Sequence, residues 1–146
     1  GQMMAARALG MGPAAAHAVQ YPAGALTDTA HGMGVAAMLP YVMSYNRQTS
    51  ASALAEVGEA LGLPVTGSIE DRAGAAIAEV SRLFAAIGIT PTLAGLGLAA
   101  DQIEWTCEQA VGIQRLIKNN PRPIDLAGMR QLVQAAYDGD LAAAAR

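Results

Sequence analysis

The stretch AAHAVQYPAGALTDTAHG, Ala15–Gly32, holds both histidines of the chain, His17 and His31, and its reading decides the fold. Pro13 suits the first turn of a helix that carries His17 and is predicted to end near Pro22–Gly24. Ala25–Ala30 reads as a short loop, and His31 opens the next helix over Gly32 to about Asn46, with a kink expected at Pro40. Two imidazoles fourteen positions apart leave the chain ample room to reverse and bring both rings to one point. A neutral imidazole is the commonest metal ligand, and metals need ligands that converge from separate elements. Gly32 and Gly34 would let a ligand or cofactor come close to the backbone. Spacing alone leaves a second reading open, in which both histidines are hydrogen-bonded at helix ends, because two ligands do not complete a site.

Outward from this stretch the sequence reads as helices throughout. Gln2–Leu9 is predicted helical and is interrupted by Gly10, Gly12 and Pro13. Ala51–Leu61 places Leu54, Val57 and Leu61 on one face before the stop signals Gly62 and Pro64. Ser68 and Asp71 form a capping-box pattern, and Ala73, Ile77, Val80, Phe84 and Ile87 follow at helical spacing until Gly88. Thr90-Pro91 is predicted to start a short helical turn closed by Gly95 and Gly97. A helix over about Ala100–Val111 and a last one from the N-cap Asp125 to Tyr137 complete the chain. No segment alternates apolar and polar residues as a strand would, and no repeat or flexible linker separates parts. One all-α domain is expected.

Composition agrees. The 146 residues are 53% hydrophobic but only 4% aromatic and 14% charged, so the apolar content is mostly small or aliphatic and suits closely packed helices. The low charge also implies that part of the surface is covered by something else. Net charge is −3 with no run of Lys or Arg, which argues against nucleic acid as a partner. No stretch reaches the ~20 apolar residues of a membrane helix. The N-terminal apolar run is broken by Gly10, Gly12 and Pro13 and does not fit a signal peptide. A single cysteine, Cys107, fits a reducing cytoplasm and reads as a small buried hydrophobe. Trp105 reads as core or interface, and Glu56, Glu59, Glu70, Asp71 and Glu79 as solvated faces and caps. Arg122 is expected to hold the final loop against a carbonyl or carboxylate.

The pattern His17-x3-Tyr21-Pro22-x-Gly24-x6-His31-Gly32, continued by Leu39-Pro40-Tyr41-Val42-Met43 and Asn46, resembles the helical C-terminal domain of the iron-containing (group III) alcohol dehydrogenases. That family's signature runs His-x3-His-x2-Gly-x6-His-Gly into a helix with Leu-Pro and a closing Asn. Gly88-Ile89-Thr90-Pro91 with Leu93, and Asn120-Pro121-Arg122 with the helix after it, are also similar to the family's later segments. The resemblance covers nearly all of the chain. It implies a compact all-α fold of the dehydroquinate synthase-like C-terminal kind, with about six to seven helices. It further implies that residues 1–146 are one helical metal-binding domain, with the N-terminal nucleotide-binding domain absent from this chain.

Residue by residue, the resemblance makes His17 and His31 two of four metal ligands, for Fe²⁺ or Zn²⁺. The other two, in an Asp-x3-His arrangement, have no counterpart here, since neither Asp28 nor Asp101 lies in that context. Gly10-x-Gly12 is no phosphate loop. NAD(P) would be bound mainly by the N-terminal domain, with Tyr21 and Gly32 facing it. Tyr21 also becomes the catalytic candidate, because it stands where many members have a histidine that relays a proton. A phenol titrates near 10 and an imidazole near 6.5, so this departure puts the relay in doubt. Leu116 falls in the family's variable segment, as an apolar substrate wall or an ordinary core leucine.

The implied activity is NAD(P)-linked oxidation of a small alcohol, or reduction of its aldehyde, in the cytoplasm. The chain alone would be inactive, its partners being its own nucleotide-binding domain and possible further copies in a homo-oligomer. Polyol dehydrogenase and maleylacetate reductase are sibling readings. A non-enzymatic helical interaction module with structural histidines is the alternative.

Overall fold

The computed structural model describes residues 14–146. The expected helix over Gln2–Leu9 and the interruption at Gly10, Gly12 and Pro13 lie outside the described residues. Among the described residues the regular structure is entirely helical. α1 spans Ala15–Thr27, α2 His31–Ala60 and α3 Ile69–Ala86. A 3-10 turn at Ala100–Gln102 leads into α4 (Ile103–Gly112), followed by α5 (Gln114–Ile117), α6 (Leu126–Asp138) and α7 (Leu141–Ala144). No helix among the described residues is long and apolar enough to cross a membrane.

The caps set the boundaries where the sequence placed them. The Ser68 hydroxyl accepts from the Asp71 N–H at 3.1 Å, and the Asp71 carboxylate accepts from the Ser68 N–H at 3.1 Å, a complete capping box. Asp125 accepts from the Gly128 N–H at 2.8 Å and starts α6. Gly88, with φ +81°, ends the α3 segment in a conformation that favours glycine.

Prolines behaved otherwise than expected. α1 continues through Pro22, which is buried inside it, and ends only at Asp28, so the loop shrinks to 28–30. A proline forfeits one helical hydrogen bond, and the burial of α1 outweighs that loss. Nor does α2 leave helical torsions at Pro40. The break comes at Ser50 (φ −131°, ψ 19°), just after Thr49 turns its hydroxyl back onto the Asn46 carbonyl at 3.0 Å. The break falls between the two helices expected over Gly32 to about Asn46 and over Ala51–Leu61, which run on from one another across the kink at Ser50. Thr90–Leu98 forms turns rather than a helix, pinned by Leu93 N–H to the Ala136 carbonyl at 3.0 Å.

The main core joins α1, the first half of α2 and α4–α6. Ala15, Ala18, Ala110 and Ala136 are fully buried there, so the helices meet at small side chains. Leu116 belongs to this core. A second cluster of Met43, Leu54, Ala73 and Ile77 fixes α3 to α2. The expected α3 stripe is buried only at its start, since Ile87 is 72% exposed. Trp105 is 44% exposed and is not a core residue of this chain. Cys107 is buried, its thiol facing the Met129 carbonyl, and desolvation raises its pKa to about 11.

A buried amide pair ties α2 to the segment before α6. Asn120 Nδ2 donates to Asn46 Oδ1 at 2.8 Å, and Asn46 Nδ2 returns a bond to Asn120 Oδ1 at 3.2 Å. Arg122 completes the joint, donating to the Tyr45 carbonyl at 3.1 Å and to that of Arg146 at 3.1 Å, with its guanidinium 4.2 Å from the Tyr45 ring centroid. Asn46→Ala leaves the Asn120 amide short of partners in a dry site, a loss of about 2–4 kcal/mol. Urea unfolding of this variant is expected to show a lowered midpoint at unchanged slope.

Candidate functional site

The chain leaves α1 at Asp28, whose backbone is left-handed (φ 52°), and re-enters helix at His31. Thr27 Oγ1 lies 2.6 Å from Thr29 Oγ1, and Gln20 Nε2 donates to the Thr29 carbonyl at 3.3 Å, so the three-residue reversal is held from both ends. The result is that the His17 and His31 rings, from two different helices, lie 5.4 Å apart between centroids, tilted by 53°. Tyr21, four residues after His17, shares its face and places its ring 5.5 Å from that of His31. The Arg115 guanidinium carbon, from α5, lies over the Tyr21 ring, 5.5 Å from its centroid. Gly32 is exposed, with open space where a side chain would be.

His17 is half-buried and Tyr21 is 47% exposed. Desolvation first, and the neighbouring His31 second, push the His17 pKa below the usual imidazole value. His17 is therefore neutral at pH 7 with a nitrogen lone pair available. Such a donor set fits a divalent metal. Two imidazoles alone do not complete a metal site, and no group of three or more His, Cys, Asp or Glu able to hold a metal occurs among the described residues. The remaining donors would have to come from elsewhere.

The spacing of α1 and α2 rests on one side chain. Gln20 is only 2% exposed, and its carboxamide occupies the space that a Cβ on Gly34 would fill, 1.6 Å from Oε1. A Cβ on Gly24 would meet Nε2 at 2.3 Å. Both glycines are thus needed for room, not for backbone torsion.

The chain matches a family model described as the Fe-containing alcohol dehydrogenase family, C-terminal, over residues 1–137. The chain belongs to this family. It is 35% identical over 131 residues to long-chain-alcohol dehydrogenase 1 of Geobacillus thermodenitrificans, covering 89% of this chain and 33% of that protein. Lactaldehyde reductase of Escherichia coli is 30% identical over 122 residues, covering 83% of this chain and 32% of that protein. The crystal structure of a 1,3-propanediol oxidoreductase superposes with a TM-score of 0.80 at 30% identity, over 85% of this chain and 32% of that one. The chain spans about a third of the length of these relatives.

Of the family positions read from sequence, His17, His31 and Tyr21 do come together, and Gly32 lies next to them on an exposed face. Leu116 does not face that space; it is 3% exposed within the main core. Gly34, expected with Gly32 to let a ligand approach, is instead buried, and the Gln20 carboxamide fills the space beside it. Gln20 and Arg115 were not singled out from sequence, and nothing local links Arg115 to Tyr21, 94 residues away. In an open helix, Gly→Ala gains up to about 1 kcal/mol. Here Gly34→Ala is expected to lose about 1–3 kcal/mol, because the new methyl displaces the Gln20 amide. Adding Gln20→Ala should recover most of that loss in urea unfolding; additive losses would show that the two sites do not share this space.

Proposed function

We propose that this chain is the helical, metal-binding part of an NAD(P)-linked alcohol dehydrogenase acting on a small alcohol or its aldehyde. The observation that carries the reading is the convergence of His17 and His31 from two helices at 5.4 Å between ring centroids. The family membership and the dehydrogenase and reductase names of its relatives support it. His17 and His31 would hold the divalent ion, Fe²⁺ as the family description suggests or Zn²⁺ by the same donor chemistry. When bound, such an ion supplies Lewis-acid polarisation of an alcohol or aldehyde oxygen.

The chain's own residues supply the setting for that chemistry. Depression of the His17 pKa keeps its imidazole neutral, as a ligand must be. The reversal at 28–30 fixes His31 against His17, so the pair is pre-organised rather than assembled on binding. Gly32 leaves the backbone open to a flat ring such as a nicotinamide. Tyr21 walls the space beside His31 and, on this reading, positions rather than relays protons, since a phenol is a poor base near neutrality. The dinucleotide would be held mainly by a nucleotide-binding domain preceding these helices, with the cleft between the two domains as the site. A cytoplasmic enzyme, assembled with further copies of itself, completes the reading.

In the full-length protein, His17→Ala and His31→Ala should each lower metal affinity by at least about tenfold to a hundredfold and abolish turnover. The far-UV helical signal should stay unchanged, because the core forms without these rings. Elemental analysis after gel filtration checks the first, and retention of normal metal by either variant would remove that histidine from the ligand set. Tyr21→Phe should lower kcat less than about tenfold and leave its pH profile in place. A hundredfold loss with a shifted profile would make Tyr21 the proton relay.

A further inference from the structure

We infer that Arg115 is the recognition point for an anionic group on the substrate, so that the preferred alcohol or aldehyde carries a carboxylate at its other end. The inference rests on the reading of His17 and His31 as the place where the alcohol oxygen is held. Its basis is the fate of the arginines. Among the described residues, Arg72, Arg82, Arg130 and Arg146 each pair with a carboxylate. Arg47 and Arg122 donate to backbone carbonyls. Arg115 alone of the described arginines has no oxygen acceptor and rests only against the face of Tyr21.

That placement is held by the fold. Leu116 and Ile117, the next two residues of α5, are buried in the main core and anchor the turn that carries Arg115. The guanidinium lies 5.5 Å from the Tyr21 centroid, and the Tyr21 ring lies 5.5 Å from that of His31. The Tyr21 ring thus neighbours both the cation and His31 of the pair. A guanidinium with no carboxylate partner keeps its edge donors available, in the fork that a carboxylate accepts in bidentate fashion. Among the described residues no group of three or more His, Cys, Asp or Glu able to hold a metal forms at the histidines. A substrate with oxygen functions at both ends, several carbons apart, meets both features at once. Arg115 is exposed, so an alcohol with an apolar tail would leave its guanidinium to water alone, without a charged partner.

The test uses the metal-loaded full-length enzyme and two alcohols of equal chain length, ω-hydroxycaproate and hexanol. Charge-assisted pairing to arginine is typically worth ten- to a hundredfold, so Arg115→Gln should lower kcat/KM for ω-hydroxycaproate by about thirtyfold. The same variant should change kcat/KM for hexanol less than about twofold, and Arg115→Lys should restore part of the loss. Calorimetric titration with caproate, which has no alcohol to oxidise, should give a Kd raised by a similar factor in Arg115→Gln. Equal losses for both alcohols overturn the proposal, as does an unchanged ratio between them. A raised KM for the dinucleotide, whichever alcohol is used, also overturns it and assigns Arg115 to a cofactor phosphate. If caproate binds in an Arg115-dependent way while neither alcohol turns over, the anion site stands and the dehydrogenase reading fails.

Discussion

The distance between α1 and α2 governs everything on the exposed histidine face, and the Gln20 carboxamide sets it. A glutamine so deeply buried between two glycines can neither swing out nor be crowded without moving a helix. Its Nε2 donates to the carbonyl of Thr29, two residues before His31, while His17 sits three residues before Gln20 on the same helix. The same side chain therefore fixes how close the helices lie and where the second one begins. Its Oε1 has no hydrogen-bond partner, a cost accepted where the helices touch. Helices packed through alanine, glycine and a single amide lock their register sharply, because no larger side chain can repack to absorb a shift.

The middle of α2 is secured by different means. Asn46 and Asn120 exchange amide bonds out of solvent, and Arg122 spans from the Tyr45 carbonyl to the chain's last carbonyl. This joint holds the segment between α5 and α6 against α2. The α5 turn lies just before it, so the position of Arg115 beside Tyr21 is inherited from a hydrogen-bonded lock some residues downstream. A side-chain amide pair and an arginine organise the middle of α2, and close packing with a few hydrogen bonds across the reversal organises its histidine end.

Legibility in the sequence followed the range of the interactions. The capping box at Ser68 and Asp71, the cap at Asp125 and the opening of α2 at His31 are settled within four residues, and reading them locally was enough. The prolines misled for the opposite reason. Pro22 is buried in a helix whose packing carries it past the expected end, and α2 keeps helical torsions through Pro40, while the break at Ser50 falls in the gap the sequence left between Asn46 and Ala51, where side-chain hydroxyls compete for backbone bonds. The α3 stripe was read correctly in period but not in extent, because periodicity cannot say where a partner helix stops. Ile87 projects past that limit. Of the site, His17, Tyr21 and His31 were legible because one helix, one reversal and one helix start connect them. Arg115 was not, because its approach to Tyr21 depends on the whole core between α1 and α5.

Two imidazoles this close define what the site can accept. Protonating both would set like charges side by side on a partly desolvated face, and the lowered His17 pKa already reflects that penalty together with burial. The pair is therefore poorly suited to hold two protons and well suited to share one cation. Once a divalent cation is held there, the local field is positive, with the Arg115 guanidinium adding to it across one tyrosine ring. Neutralisation must then come from anionic ligands supplied by another part of the protein, from the substrate, or from both. On the proposed reading, a face that gathers two imidazoles and a guanidinium would be complementary to negative charge brought to it, which is the physical ground for proposing an anionic substrate.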